Sequence, residues 1–152
     1  MNFKKQITPT VTIGDQPTED DLRALKSEGF VGVINLRQPG EPDQPLSPAA
    51  EGEKASDLGM KYLHVGVGGA PLSAEGVGSV CEFLEANEKH GKVLVHCRKG
   101  GRAAGLLLIQ HALKHGWKAD EVFSRGKEIG LEVDGPGLKA IIENYLRENG
   151  CA

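Results

Sequence analysis

Seven consecutive residues, His96-Cys97-Arg98-Lys99-Gly100-Gly101-Arg102, concentrate the reactive chemistry of the chain. Two adjacent glycines let the backbone curl with successive N–H groups facing inward, which makes an anion nest. A helix opening beyond them adds its unsatisfied N-terminal donors and the positive end of its dipole. Arg102, at that helix start, can grip two oxygens of a tetrahedral anion with its planar guanidinium. The same field favours Cys97 as thiolate, the nucleophilic form of the side chain. One short segment thus supplies a nucleophile and an oxyanion receptor. Cys97 and Arg102 are the expected reacting groups, with Arg98, Lys99, Gly100, Gly101 and Arg102 as the anion cradle and His96 as support. The plainer alternative for Cys97 is a small packed core residue.

The elements that must position this segment follow from the apolar patterning. Residues 92–96 (Lys-Val-Leu-Val-His) read as a buried strand that delivers Cys97 to the C-terminal edge of a sheet, where open α/β folds place their ligands. Residues 102–115 read as a central helix, apolar on most sides. Upstream, residues 11–13 form a short strand. Thr18 caps a helix, with Asp21 completing a capping box, and Gly29 ends it. Residues 31–36 form a second strand, and the loop of residues 37–46 contains three prolines and a glycine. Ser47-Pro48 opens a helix to about residue 58. Residues 60–65 are a further strand, residues 65–71 a glycine-rich connection, and Ser73 caps a helix with an inward stripe of Val77, Val80, Cys81 and Leu84. Two more helices, near residues 119–128 and 137–148, close the chain. The alternation predicts an α/β fold: one three-layer domain over residues 1–152, with a central, mostly parallel sheet of about four or five strands flanked by helices.

Bulk properties narrow the partners. The 152 residues carry 39% hydrophobic and 26% charged residues and a formal net charge of −3. That balance argues against a general nucleic-acid binder, and no apolar run approaches the length of a membrane span. Cys81, Cys97 and Cys151 are few and odd in number. The first residues lack the apolar stretch that secretion requires, so reduced thiols in the cytoplasm are expected. No spacing suggests a metal ligand set, and no cofactor is expected.

His96-Cys97 followed by Gly100 and Arg102 resembles the phosphate-binding loop of protein tyrosine and dual-specificity phosphatases. Three upstream pieces strengthen the likeness: Gly14-Asp15-Gln16-Pro17-Thr18; Val33-Ile34-Asn35-Leu36-Arg37 with Glu41; and Tyr62-Leu63-His64-Val65. Over roughly residues 10–115 the sequence resembles the bacterial beta-lactamase-hydrolase-like phosphatase family. The resemblance implies a tyrosine-phosphatase-like fold and hydrolysis of phosphate monoesters on a phosphorylated small molecule or phosphoprotein. It implies Cys97 as nucleophile, Arg102 as phosphate-binding arginine, His96 as the residue that orders the loop, and Arg37 as a brace for the site.

Against ordinary tyrosine phosphatases, only four residues separate Cys97 from Arg102, and Ala103 stands where a Ser or Thr is usual. The connection at residues 66–71 has no carboxylate to act as general acid, a loss worth on the order of 10²- to 10⁴-fold. Glu75, Glu41 and Asp43, and more distantly Asp134, are candidate substitutes. The short loop also resembles that of rhodanese sulfurtransferases, in which Cys97 would carry a persulfide. A non-catalytic phosphate-binding module is the third alternative. His64 is expected to be a packed strand residue, and Cys81 a packing residue.

Overall fold

Short runs of β-branched and apolar residues become the strands of one five-stranded sheet, in the order β1-β2-β5-β3-β4. The computed structural model describes residues 1–68, 73–133 and 135–149. The strands are β1 (Lys4–Gln6), β2 (Val11–Gly14), β3 (Phe30–Asn35), β4 (Lys61–His64) and β5 (Lys92–His96). The helices are α1 (Glu19–Ser27), α2 (Pro48–Asp57), α3 (Ala74–Asn87), α4 (Gly101–His115), α5 (Val122–Glu128) and α6 (Pro136–Glu148). β2, β5, β3 and β4 run parallel, and β1 alone pairs antiparallel, on the outer edge of β2.

β5 lies in the middle of the sheet and is covered on both faces, which explains its unbroken apolar run. Alternate side chains on a strand face opposite ways. Leu94 and Val33 join Leu22, Leu25, Ala55 and Met60 in a core under α1 and α2. Val93, Val95 and Ile34 join Val80, Leu84, Leu106 and Ile109 in the larger core under α3 and α4. The result is the expected α/β layering of helices on either side of a mostly parallel sheet.

Local signals set the helix starts. Thr18 and Asp21 form the reciprocal capping box, Ser47 caps α2 ahead of Pro48, and Ser73 caps α3. β1 was not expected. Lys4-Lys5-Gln6 is exposed throughout and shows no apolar alternation. Backbone pairing to β2 makes it a strand, and its lysines suit a sheet edge that must not pair further. α4 begins at Gly101, one residue before the expected start. No helix among the described residues is long and apolar enough to cross a membrane.

Candidate active site

The end of β5 is gripped from both sides. The Leu36 amide donates to the His96 carbonyl at 2.9 Å, and the Cys97 amide donates to the Gly14 carbonyl at 3.3 Å. Beyond that point the chain turns into α4. Cys97 is buried, with 1% of its surface exposed, and the Gly100 amide donates to its sulfur at 3.1 Å. Gly100 adopts φ 101°, a left-handed conformation that L side chains rarely take, and a Cβ there would meet the Phe3 ring. The turn therefore needs its glycine, and it ends where α4 presents its free N-terminal amides.

Arg102 stands over this turn. Its Nη1 donates to Glu41 Oε2 at 2.7 Å and to the Val67 carbonyl at 2.9 Å, and its Nη2 donates to Glu41 Oε1 at 2.8 Å. A guanidinium has five N–H groups. These three bonds leave Nε–H and the second Nη2–H, which lie together along one side of the group. Glu41 thus holds the end of the fork and leaves its side turned to the Cys97 sulfur, where an anion can be gripped. Glu41 above all, and then the Cys97 sulfur, hold the Arg102 guanidinium charged, above its ordinary value.

Glu41 is itself placed by Arg37. The Arg37 side chain is fully buried, and its Nε donates to Glu41 Oε1 at 3.1 Å. Arg37 Nη1 donates to Gln16 Oε1 at 2.8 Å and to the Asp43 carbonyl at 2.9 Å, and Nη2 donates to the Pro42 carbonyl. The Gln38 amide also donates to Glu41 Oε2 at 2.6 Å. The proline-rich loop is thus wound around one buried arginine. Hydrogen bonds from Arg102 first, then from the Gln38 amide and Arg37, pull the Glu41 carboxyl from 4.5 down to about 2.

At the base of the loop, His96 Nε2 lies 2.6 Å from Glu51 Oε2, and both side chains are fully buried. Gln16 Nε2 donates to Glu51 Oε1 at 2.8 Å. Asn35 Nδ2 donates to the Tyr62 hydroxyl at 3.0 Å. Burial first, and then the Glu51 charge, push the Tyr62 phenol up.

The expected site residues fall into three groups. His96, Cys97, Gly100, Arg102, Arg37 and Glu41 converge on the turn. Arg98 and Lys99 point to its rim, where Arg98 Nη2 pairs with Asp43 Oδ2 at 2.7 Å and Lys99 is exposed. Arg98 holds the Asp43 carboxyl below its ordinary value. Glu75 is exposed in the first turn of α3 and makes no hydrogen bond or ion pair among the described residues. Asp134 and residues 69–71 of the glycine-rich connection lie outside the described residues. His64, expected as a packed strand residue, is instead exposed. Its Nε2–H donates to the Arg37 carbonyl at 2.6 Å, because it lies on the last residue of β4, the sheet's other edge strand.

Gln16 and Glu51 are functional candidates that spacing did not single out. A signal for Glu51 existed: Pro48, Glu51 and Ala55 share the i, i+3, i+7 stripe that α2 buries. Among the described residues no cluster of His, Cys, Asp or Glu could hold a metal ion. Chemically, the turn joins a sulfur nucleophile, inward amides and a free guanidinium edge, a combination suited to a tetrahedral oxyanion.

Comparison with known proteins establishes the family and supports the fold. The chain is 31% identical over 128 residues to a beta-lactamase hydrolase-like protein of Xylella fastidiosa, covering 84% of this chain but only 29% of that relative. Among solved structures, Tk-PTP in its active form superposes with a TM-score of 0.75 at 20% identity, covering 96% of this chain and 97% of that one. The complex of P. aeruginosa TpbA with pTyr superposes with a TM-score of 0.68 at 18% identity, covering 97% of this chain and 91% of that one. Residues 3–114 match the family model described as beta-lactamase hydrolase-like protein, phosphatase-like domain, and the chain belongs to that family.

Proposed function

We propose that the protein is a cysteine-dependent hydrolase of phosphate monoesters that works through a phosphocysteine intermediate. The observation that carries this reading is the pairing of Cys97, its sulfur bonded by the Gly100 amide, with an Arg102 whose side-on fork is left free by Glu41. The Cys97 thiolate attacks phosphorus in line, and the bond from phosphorus to the ester oxygen breaks. The loop amides and Arg102 hold the non-bridging oxygens as charge develops. Water then attacks the phosphocysteine, phosphate leaves, and the thiolate is restored. No step calls for a metal, because the loop supplies the positive field. The phosphotyrosine bound to the TpbA relative makes a phosphorylated side chain or small aryl phosphate a reasonable substrate class here.

The proton for the leaving oxygen is the weak point of the site. Glu41 lies at about 2 and Asp43 below its ordinary value, so neither carries a proton to donate at neutral pH. Turnover should therefore favour esters with acidic leaving groups, such as aryl phosphates, over alkyl phosphates. The test is hydrolysis of p-nitrophenyl phosphate by the intact chain and by Cys97→Ser. Vanadate-sensitive turnover that vanishes in the variant is the expected result. Thiocyanate formation from thiosulfate and cyanide, without phosphate release, would replace this reading with persulfide transfer.

A further inference from the structure

Beneath the turn runs a chain of hydrogen bonds that no step of the reaction uses. It starts at His96, immediately before Cys97, and passes through Glu51 (2.6 Å), Gln16 (2.8 Å), Arg37 (2.8 Å) and Glu41 (3.1 Å) to Arg102 (2.7 and 2.8 Å). Its members come from β5, α2, the β2–α1 connection, the loop after β3 and α4, so it joins residues far apart along the chain. It begins at one end of the Cys97 turn and finishes at the other.

Stability alone is a poor reason for a fully buried His–Glu pair. Replacing such a pair with apolar groups of similar volume is often neutral or stabilising, because desolvation offsets the attraction. The pair does impose direction. A carboxylate only accepts, so Glu51 fixes the hydrogen of His96 on Nε2. It also forces Gln16 to present its NH₂ to Glu51 and its carbonyl oxygen to Arg37. We propose that Glu51 is a positioning residue for the phosphate-binding turn, setting the donor–acceptor order of a chain that locks His96 at one end and Arg102 at the other. His96 Nδ1 is buried with no partner among the described residues, so the ring is held from its Nε2 side alone.

This inference rests on the hydrolase reading, and a polarity swap tests it separately. In Glu51→Gln the new amide can still accept from His96. Its NH₂, however, then faces the NH₂ of Gln16, and turning Gln16 over sets a donor against Arg37. The double variant Gln16→Glu with Glu51→Gln restores the order along the chain, giving up only the bond from Gln16 Nε2 to the Pro17 carbonyl (2.9 Å): His96 donates to Gln, Gln donates to Glu, and Arg37 donates to Glu. The expected result is a loss of about tenfold or more in kcat/KM for p-nitrophenyl phosphate in the single variant, with most of it recovered in the swap. Side-chain ¹⁵N spectra should show His96 protonated on Nε2 in the parent and the swap. A folded Glu51→Gln protein within twofold of the parent would overturn the proposal, as would a folded swap no more active than the single variant. If the parent hydrolyses nothing, the hydrolase reading fails. The ¹⁵N spectra then still decide the chain, since a His96 hydrogen on Nδ1 in the parent contradicts it.

Discussion

Replacing Glu41 by Gln tests the central electrostatic feature of the site. The neutral amide keeps the size of the side chain but offers one acceptor where Arg102 now finds two. In the folded protein the carboxyl is pulled from 4.5 to about 2, with Arg102 the largest contributor. At about 1.4 kcal/mol per tenfold, that corresponds to roughly 3 kcal/mol of preference for the ionised form before screening. Both side chains are partly open to water, so screening reduces the figure to about 1–2 kcal/mol. The folded value lies below the unfolded one. The stabilisation is therefore complete above about 4.5 and disappears as pH falls from there towards about 2.

Three consequences follow for Glu41→Gln. At pH 7 its thermal midpoint should lie a few degrees below that of the parent, at about 2–4 °C per kcal/mol for a chain of this size. The gap should narrow by more than half by about pH 3, because the parent then loses most of the same contribution. If Glu41 holds the Arg102 fork in register, kcat/KM for p-nitrophenyl phosphate should fall about 5- to 30-fold, the rate equivalent of the same 1–2 kcal/mol. Calorimetry at the two pH values and steady-state kinetics measure all three. A variant with the parent's midpoint at pH 7 and the parent's kcat/KM would show that Glu41 neither stabilises nor orients Arg102.

Two further outcomes can be checked on the same protein. Gly100→Ala forces a Cβ into a left-handed turn, at about 1–2 kcal/mol, and towards the Phe3 ring. It should lower the thermal midpoint by several degrees and abolish most phosphate release; a variant as stable and as active as the parent would mean that the turn tolerates another path. His111 stacks against His115 and Trp117, and burial first, then His115 and Lys114, push its imidazole below 6.5. The unfolded chain therefore takes up that proton first, so stability should fall as pH drops below about 6.5. His111→Gln should flatten this fall, read through the emission of Trp117, the single tryptophan of the chain.

Much of this fold was legible because its signals are local and repeated. The apolar run before Cys97 could only be a covered strand, and the caps at Thr18, Ser47 and Ser73 marked helix starts through hydrogen bonds made within three residues. β1 escaped notice because Lys4-Lys5-Gln6 buries nothing, and only its partner β2 makes it a strand. The site divides along the same line. The turn is contiguous in sequence, so its glycines, cysteine and arginine could be read together. Its supports lie far apart along the chain: the Arg102–Glu41 pair spans 61 positions and the His96–Glu51 pair 45. A carboxylate at position 41 was legible as a group near the site, but whether it gives a proton or holds a cation depends on where Arg37 and Arg102 meet it.

That distinction explains how the turn can receive an anion without being filled by its own carboxylates. Arg37 and Arg102 bring two positive charges to the site, and Glu41 and Glu51 bring two negative ones. The side-chain charges of this braced set cancel. An arriving phosphate is then met chiefly by the amides of the turn, the free end of α4, and the edge of the Arg102 fork that Glu41 does not occupy. Glu41 does not compete for that edge, because it approaches the guanidinium end-on. The carboxylates set direction, and the backbone supplies the field. Neutralising a carboxylate brace should therefore loosen the aim of the turn while leaving an uncancelled positive charge beside it, so anion binding should weaken less than turnover.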